Sequence, residues 1–251
     1  MIEVRDLRFA WPGAASDCVV IDSLSIPAGR TVFLHGPSGG GKSTLLNALL
    51  GFVEPASGSI VVTGAEPSSA ADLSTLDATA WRRRVAWLPQ RAHLIGADLT
   101  ERPTIADAVR LGRPGATDEQ VRQALADAGV ADDVEALPEG LATRLSADGS
   151  GLSVGQWQRV ALARTIIADG DLVLLDEPTA ALDTATESIV VEVIRRMAAR
   201  GATVVVVAHR HALIDVAHQV LRLDRPDAGA PTAAGADDVP AAAETIRSAG
   251  W

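Results

Sequence analysis

Lys42 is the only lysine in the chain, and every other basic side chain among the 22 Lys+Arg is arginine. It stands in Gly36-Pro37-Ser38-Gly39-Gly40-Gly41-Lys42-Ser43, with Thr44 next. A position that stays lysine in so arginine-rich a background needs an ammonium. That group is compact enough to sit between phosphate oxygens under a tight backbone loop, where a planar guanidinium is bulkier and makes a fork instead. Gly36-x4-Gly41-Lys42-Ser43 is a P-loop pattern. Glycines let successive backbone N–H groups curl round phosphates, and a helix N-terminus behind them adds positive partial charge. Lys42 would reach the β/γ oxygens of a nucleotide, and the Ser43 hydroxyl would bind Mg²⁺. A second segment, Leu172-Val173-Leu174-Leu175-Asp176-Glu177, is an apolar run ending in two carboxylates. Asp176 suits Mg²⁺ through a water, and Glu177 stands where a general base or water-orienting group belongs. A third, Leu152-Ser153-Val154-Gly155-Gln156, has the capping-box spacing between Ser153 and Gln156. Its bare N–H groups and hydroxyl at a dipole-positive end form a second phosphate-binding terminus. Taken alone, that pentapeptide reads first as an ordinary helix cap.

These residues need elements to hold them. Thr31–His35 is a short β-branched apolar run ending at Gly36, as expected of a buried parallel strand. Ser43–Leu50 carries Leu45, Leu46, Leu49 and Leu50 at helical spacing, and Gly51 can end the helix. Residues 1–28 read as short strands and turns: Ile2 with Val4, Leu7 with Phe9, then Val19–Ile21. From about Arg91 to Gly149 the pattern is helix-rich, with a capping box at Thr117 and Gln120 followed by Val121, Leu125 and Ala128. Apolar runs return at Leu172–Leu175 and Thr203–Ala208. Between them a helix over Ala185–Arg200 carries Ile189, Val193, Ile194 and Met197 on one side. The expectation is an α/β core with an inserted helical subdomain. After about Arg225 the chain is Ala, Gly, Pro and Asp without a core pattern, and reads as a flexible tail.

Composition narrows the function. With 251 residues and 47% hydrophobic content, a core forms without staples. A single cysteine, Cys18, cannot make an internal disulfide and suits a reducing cytosol. No run of about 18 apolar residues spans a bilayer, and the N-terminus lacks the apolar core of a secretion signal. A net charge of −10 argues against nucleic acid as a partner. Arg82-Arg83-Arg84 reads as a solvated helix face. A guanine-specific Asn-Lys-x-Asp motif is impossible, because the only Asn and the only Lys lie at 47 and 42. A P-loop kinase would leave Leu152–Gln156 unexplained.

In their order along the chain the motifs resemble the ATP-binding cassette of ABC transporters, over about residues 1–225. The Walker A loop is Gly36–Ser43. Gln90, in Val85-Ala86-Trp87-Leu88-Pro89-Gln90, matches the Q-loop glutamine. Leu152–Gln156 matches the signature, and Asp176-Glu177 ends Walker B. Ala181-Leu182-Asp183 matches the D-loop, and His209 the switch histidine, with His211 two residues on as the competing candidate. The resemblance implies a P-loop NTPase (RecA-like) core with an antiparallel β subdomain and an α-helical subdomain inserted at about 91–160. It also implies ATP and Mg²⁺, with Ser43, Gln90 and Asp176 at the metal. Two cassettes, identical or different, would pair head to tail. Ser153 and Gly155 of one would then contact the γ-phosphate bound by Lys42 of the other, and Gln156 and Asp183 are counted with the nucleotide-binding residues. His209 would steady the γ-phosphate, and Gln90 would sense the attacking water and couple to a transmembrane domain. Trp11 falls where an aromatic stacks on adenine; the other reading of Trp11 is a core or loop residue.

Leu137-Pro138-Glu139-Gly140-Leu141-Ala142-Thr143-Arg144 resembles exporter cassettes. Trp81–Gln90, Leu111–Gly115 and Val154 are most similar to the heterodimeric exporter of cysteine and glutathione that serves cytochrome bd assembly. Such a cassette would lie at the cytoplasmic face of the inner membrane, its membrane domain fused or separate. This chain departs from the pattern at Val154, usually glycine, and at Trp157, often basic.

Overall fold

A computed structural model of the protein describes residues 1–10, 19–64, 69–91, 102–145, 151–180, 184–208, 211–223 and 245–247. The elements run β1 (Ile2–Phe9), β2 (Val19–Ile26), β3 (Thr31–His35), α1 (Lys42–Leu49), β4 (Ser57–Val62), β5 (Ala71–Asp72), α2 (Ala78–Arg82) and β6 (Val85–Leu88). Then come α3 (Ile105–Arg110), α4 (Asp118–Asp127), α5 (Ala131–Glu135) and α6 (Val154–Ala168). The chain closes with β7 (Leu172–Asp176), α7 (Thr184–Ala199), β8 (Thr203–Val207), β9 (Gln219–Arg222) and β10 (Thr245–Arg247).

β1, β2, β4 and β5 form an antiparallel sheet in the order β2-β1-β4-β5. The sequence predicts short separate pieces here, yet β1 and β2 are each continuous strands of 8 residues. Asp6 is the reason. It takes φ 48°, and the register of β1 against β4 shifts between Arg5 and Arg8. That bulge resets the two-residue alternation, so Ile2 and Val4, and then Leu7 and Phe9, all enter one core. Gly58 on β4 makes room for it, since a Cβ there would lie 2.3 Å from the Asp6 carbonyl oxygen.

The second sheet is entirely parallel, in the order β10-β9-β3-β8-β7-β6. β7 and β8 are buried at every position, which explains their uninterrupted apolar sequences. Their alternate side chains serve two cores. Val173, Leu175, Val204 and Val206 face α6 and α7. Leu172, Leu174, Val205 and Val207 face α1 and the antiparallel sheet. On α7 the buried stripe is Val190, Val193, Ile194 and Met197. The expected Ile189 is only partly buried, because the stripe is turned by one residue.

Helices α3, α4, α5 and α6 pack together beside β6, around Val109, Val121, Leu125, Val134 and Val160. Capping boxes open α3 (Thr104, Asp107), α4 (Thr117, Gln120) and α6 (Ser153, Gln156). In the stretch expected to be a tail, Thr245–Arg247 instead add an edge strand parallel to β9. Among the described residues, no helix is long and apolar enough to cross a membrane. The arginine run divides: Arg84 pairs with Asp171 at 2.8 Å, while Arg82 lies over the Phe52 ring, 5.5 Å from its centroid.

Candidate nucleotide site

Parallel strands bring their carboxyl ends to one edge of the sheet, so residues far apart in sequence meet there. Leu34 of β3 pairs with Val207 of β8, Asp176 of β7 pairs with the same Val207, and Leu88 of β6 pairs with Leu175. The Gly36–Ser43 loop after β3, Asp176-Glu177 at the end of β7 and Gln90 after β6 therefore lie on one edge of the sheet, with β8 between β3 and β7. Gln90 is exposed two residues beyond β6. His209 follows β8, but His209, Trp11 and Asp183 lie outside the described residues, as do Ala181 and Leu182.

The loop is shaped by left-handed glycines. Gly36, Gly39 and Gly41 take φ 145°, 80° and 88°. A Cβ on Gly36 would stand 2.0 Å from the carbonyl oxygen of Leu223, so the backbone after β9 acts as a wall behind the loop. Pro37, Ser38 and Gly39 form the exposed crest, while Gly40 and Gly41 are buried. The Gly40 N–H closes the crest onto the Pro37 carbonyl at 3.1 Å. Gly41 is the N-cap of α1 and offers no capping side chain, which leaves the first helical N–H groups directed at the loop. Lys42 starts α1 one residue earlier than the pattern predicts. It is buried to 7% exposure, its Nζ donating to the carbonyls of Gly36 at 2.8 Å and Pro37 at 2.9 Å. Burial lowers its pKa below the ordinary lysine value, and the Glu177 and Asp176 carboxylates oppose that shift. Thr44 is half-buried beside the exposed Ser43.

One hydrogen bond joins the two motifs: Ser43 Oγ donates to Asp176 Oδ2 at 3.2 Å. Asp176 is the last residue of β7 and 9% exposed. Burial raises its pKa above the ordinary aspartate value, and the neighbouring Glu177 charge adds to the rise. The Ser43 hydroxyl and the Lys42 charge pull the other way. Glu177 has φ 49°, unusual for a residue with a side chain, and its N–H donates to the Val207 carbonyl at 2.7 Å. Left-handed backbone at a bulky residue costs on the order of 1–3 kcal/mol and collects at functional sites. No sequence signal marks that strain. The arrangement fits a magnesium nucleoside triphosphate. A ring of glycine N–H groups and one ammonium suit polyphosphate, and a hydroxyl bonded to a carboxylate is an oxygen pair suited to Mg²⁺.

The second terminus lies on the helical side, since α6 packs against α3, α4 and β6. Ser153 is its N-cap: Ser153 Oγ accepts from the Gln156 N–H at 3.2 Å, and Gln156 Oε1 accepts from the Ser153 N–H at 2.9 Å. Ser153 is exposed and Gly155 half-buried; Val154 is 73% exposed. Trp157, in contrast, is buried in the helical core. The sequence reading missed Asp133, which accepts from Gln156, and Arg159, which pairs with Asp133. Only the i+3 spacing from Gln156 to Arg159 hinted at a shared face.

Comparison with known proteins places this geometry. The model of the family described as ABC transporter matches residues 21–180. The ATP-dependent lipid A-core flippase of Vibrio cholerae is 36% identical over 224 residues, covering 89% of this chain and 36% of the flippase. The beta-(1-->2)glucan export ATP-binding/permease protein of Rhizobium etli is 36% identical over 223 residues, 89% of this chain and 36% of that protein. A multidrug efflux ATP-binding/permease protein of Mycobacterium bovis is 38% identical over 202 residues, 80% of this chain and 16% of that protein. The structure of a bacterial Atm1-family ABC exporter with ATP bound superposes with a TM-score of 0.78 at 30% identity, covering 90% of this chain and 38% of the exporter. The chain thus spans about a third or less of the length of these relatives.

Proposed function

Because the chain belongs to the ABC transporter family, as an ATPase domain of exporter type that binds ATP with Mg²⁺, we propose that it is the motor of a membrane exporter. The observation that carries this reading is the Ser43–Asp176 hydrogen bond beside the buried Lys42, which links loop and carboxylate strand into one site. Lys42 and the backbone of Gly36, Pro37, Ser38, Gly39, Gly40 and Gly41 hold the phosphates, with Thr44 beside them. Ser43, Asp176 and Gln90 would hold Mg²⁺, which would supply positive charge to offset that of the phosphates. Glu177 orients the attacking water and takes its proton. Trp11 stacks on the base, and His209 steadies the γ-phosphate. Ser153, Gly155, Gln156 and Asp183 act on the site of a second cassette, paired head to tail.

The cassette occupies residues 1–225, with its helical subdomain at about 91–160 and 226–251 as an appendage. Its transmembrane domain, fused or separate, carries it to the cytoplasmic face of the membrane. Phe52, 53% exposed, stacks edge-on against Trp87 and under Arg82, and gives such a domain an apolar seat near Gln90. The finer reading is export of thiols such as cysteine or glutathione for cytochrome bd assembly. It is supported by Trp81–Gln90, Leu111–Gly115 and Val154. Lipids, glucans and drugs, the cargoes in the relatives' names, are the alternative. The test pairs the cassette with its transmembrane domain in lipid vesicles and follows ATP turnover. Stimulation by glutathione or cysteine supports the thiol reading. Stimulation only by lipids, glucans or drugs removes it and keeps the motor. Absence of Glu177-dependent turnover removes both.

A further inference from the structure

Gln156 uses both ends of its amide. Oε1 accepts from the Ser153 N–H, while Nε2 donates to Oδ1 of Asp133 on α5 at 3.0 Å. The other carboxylate oxygen of Asp133 accepts from Arg159 Nη2 at 3.0 Å, nearly one helical turn beyond Gln156. Arg159 is well covered, its side chain 18% exposed. It also donates to the Gly155 carbonyl at 3.4 Å and, in a short contact, to the Gly129 carbonyl in the turn between α4 and α5.

The chemistry of these groups sets a direction. A glutamine amide can turn over, exchanging acceptor for donor at small cost. An ionised carboxylate accepts only, so Asp133 forces Nε2 toward itself. That leaves Oε1, and not an N–H, facing the Ser153 backbone. Arg159 in turn holds the Asp133 carboxylate in place and ties it to the α4–α5 turn. The cap of α6 is therefore oriented by a residue 20 positions upstream of Ser153, on a separate helix.

We propose that Asp133 is a positioning residue for the Ser153 end of α6, presetting the hydroxyl and N–H groups that meet the γ-phosphate held by a second cassette. This rests on the reading that Ser153 and Gly155 act in trans. It follows that Asp133 governs pairing of cassettes while leaving each cassette's own hold on ATP untouched.

The test compares Asp133→Ala with Asp133→Asn, both in full-length protein carrying Glu177→Gln. Asn offers one acceptor oxygen where Asp133 uses two, Oδ1 for Gln156 Nε2 and Oδ2 for Arg159 Nη2, so it cannot serve both donors. Hydrogen exchange is read on the free protein, and ATP-driven dimerisation by light scattering. For Asp133→Ala, the Ser153 and Gln156 amides exchange about tenfold faster and dimerisation weakens about tenfold, as expected for one charge-assisted hydrogen bond. Exchange in Val160–Ile167 and ATP affinity of the monomer stay unchanged, and Asp133→Asn is impaired nearly as much as Asp133→Ala, because an amide no longer forces the direction of Gln156. Unchanged exchange at Ser153 and Gln156 overturns the proposal. So does acceleration along all of α6, which would mean a purely structural role, and so does an Asn variant that behaves as wild type. If the Glu177→Gln parent dimerises neither alone nor with a different cassette, the in-trans reading fails by itself, and the exchange data still decide whether Asp133 sets the cap.

Discussion

The Gly36–Ser43 loop and the Ser153 end of α6 both present backbone N–H groups at a helix start, but they are held in opposite ways. The loop is held by backbone: left-handed glycines, a wall at Leu223 and a strand on either side of β3. The α6 terminus is held by side chains: Ser153, Gln156, Asp133 and Arg159, drawn from two helices. A backbone-built site is rigid and tolerates few residue types. A side-chain-built one can be tuned by single substitutions and can move with its subdomain. Such a division suits the two proposed roles, one end that holds a nucleotide and one that completes a second cassette's site.

That contrast can be broken by experiment. The largest effect is expected from Glu177→Gln, which should bind ATP normally and lower turnover by about 10²–10⁴-fold, the range for loss of general acid–base help. Turnover close to wild type, measured by phosphate release, removes Glu177 from the reaction. Next, Lys42→Ala should cost about 2–5 kcal/mol of ATP affinity by calorimetry, as for truncation of a desolvated charge pair. Unchanged affinity contradicts the role given to the lysine. Ser153→Ala should have a smaller effect, about 1 kcal/mol of stability for a lost N-cap. It should weaken pairing of cassettes and leave ATP affinity of the monomer alone; a loss of monomer affinity would place Ser153 in its own chain's site.

The smallest effect concerns Asp176. Its folded pKa is raised above the ordinary value of 3.8, so the folded state binds the proton more tightly than the unfolded one. The stabilising contribution is full below that value and is lost as pH rises through the elevated folded pKa. Asp176→Asn should therefore gain stability over wild type, without nucleotide, as pH rises through that window. Equal melting curves of the two proteins across the window would show that burial of the Asp176 charge costs nothing.

The sequence disclosed the backbone-built half more fully than the side-chain-built one. Glycine spacing, the lone lysine and the strand ending in Asp176-Glu177 are local patterns, and local patterns can be read along a chain. The capping box at Ser153 was legible for the same reason. Asp133 was not, because its partners sit 23 and 26 residues away, at Gln156 and Arg159, and only the packing of α5 on α6 brings them together. The single long β1 was hidden by the phase change at Asp6, since a bulge imitates the end of one strand and the start of another. The left-handed backbone of Glu177 leaves no trace in residue type, because glutamate is not a residue that favours positive φ.

The most direct test is the mass in solution of Glu177→Gln with ATP and Mg²⁺, by light scattering on a sizing column. The account predicts a dimer that forms only with ATP and is lost when Ser153→Ala is added. A protein that binds ATP yet stays monomeric, even when mixed with a different exporter cassette, would contradict the claim that the α6 terminus completes a second cassette's site.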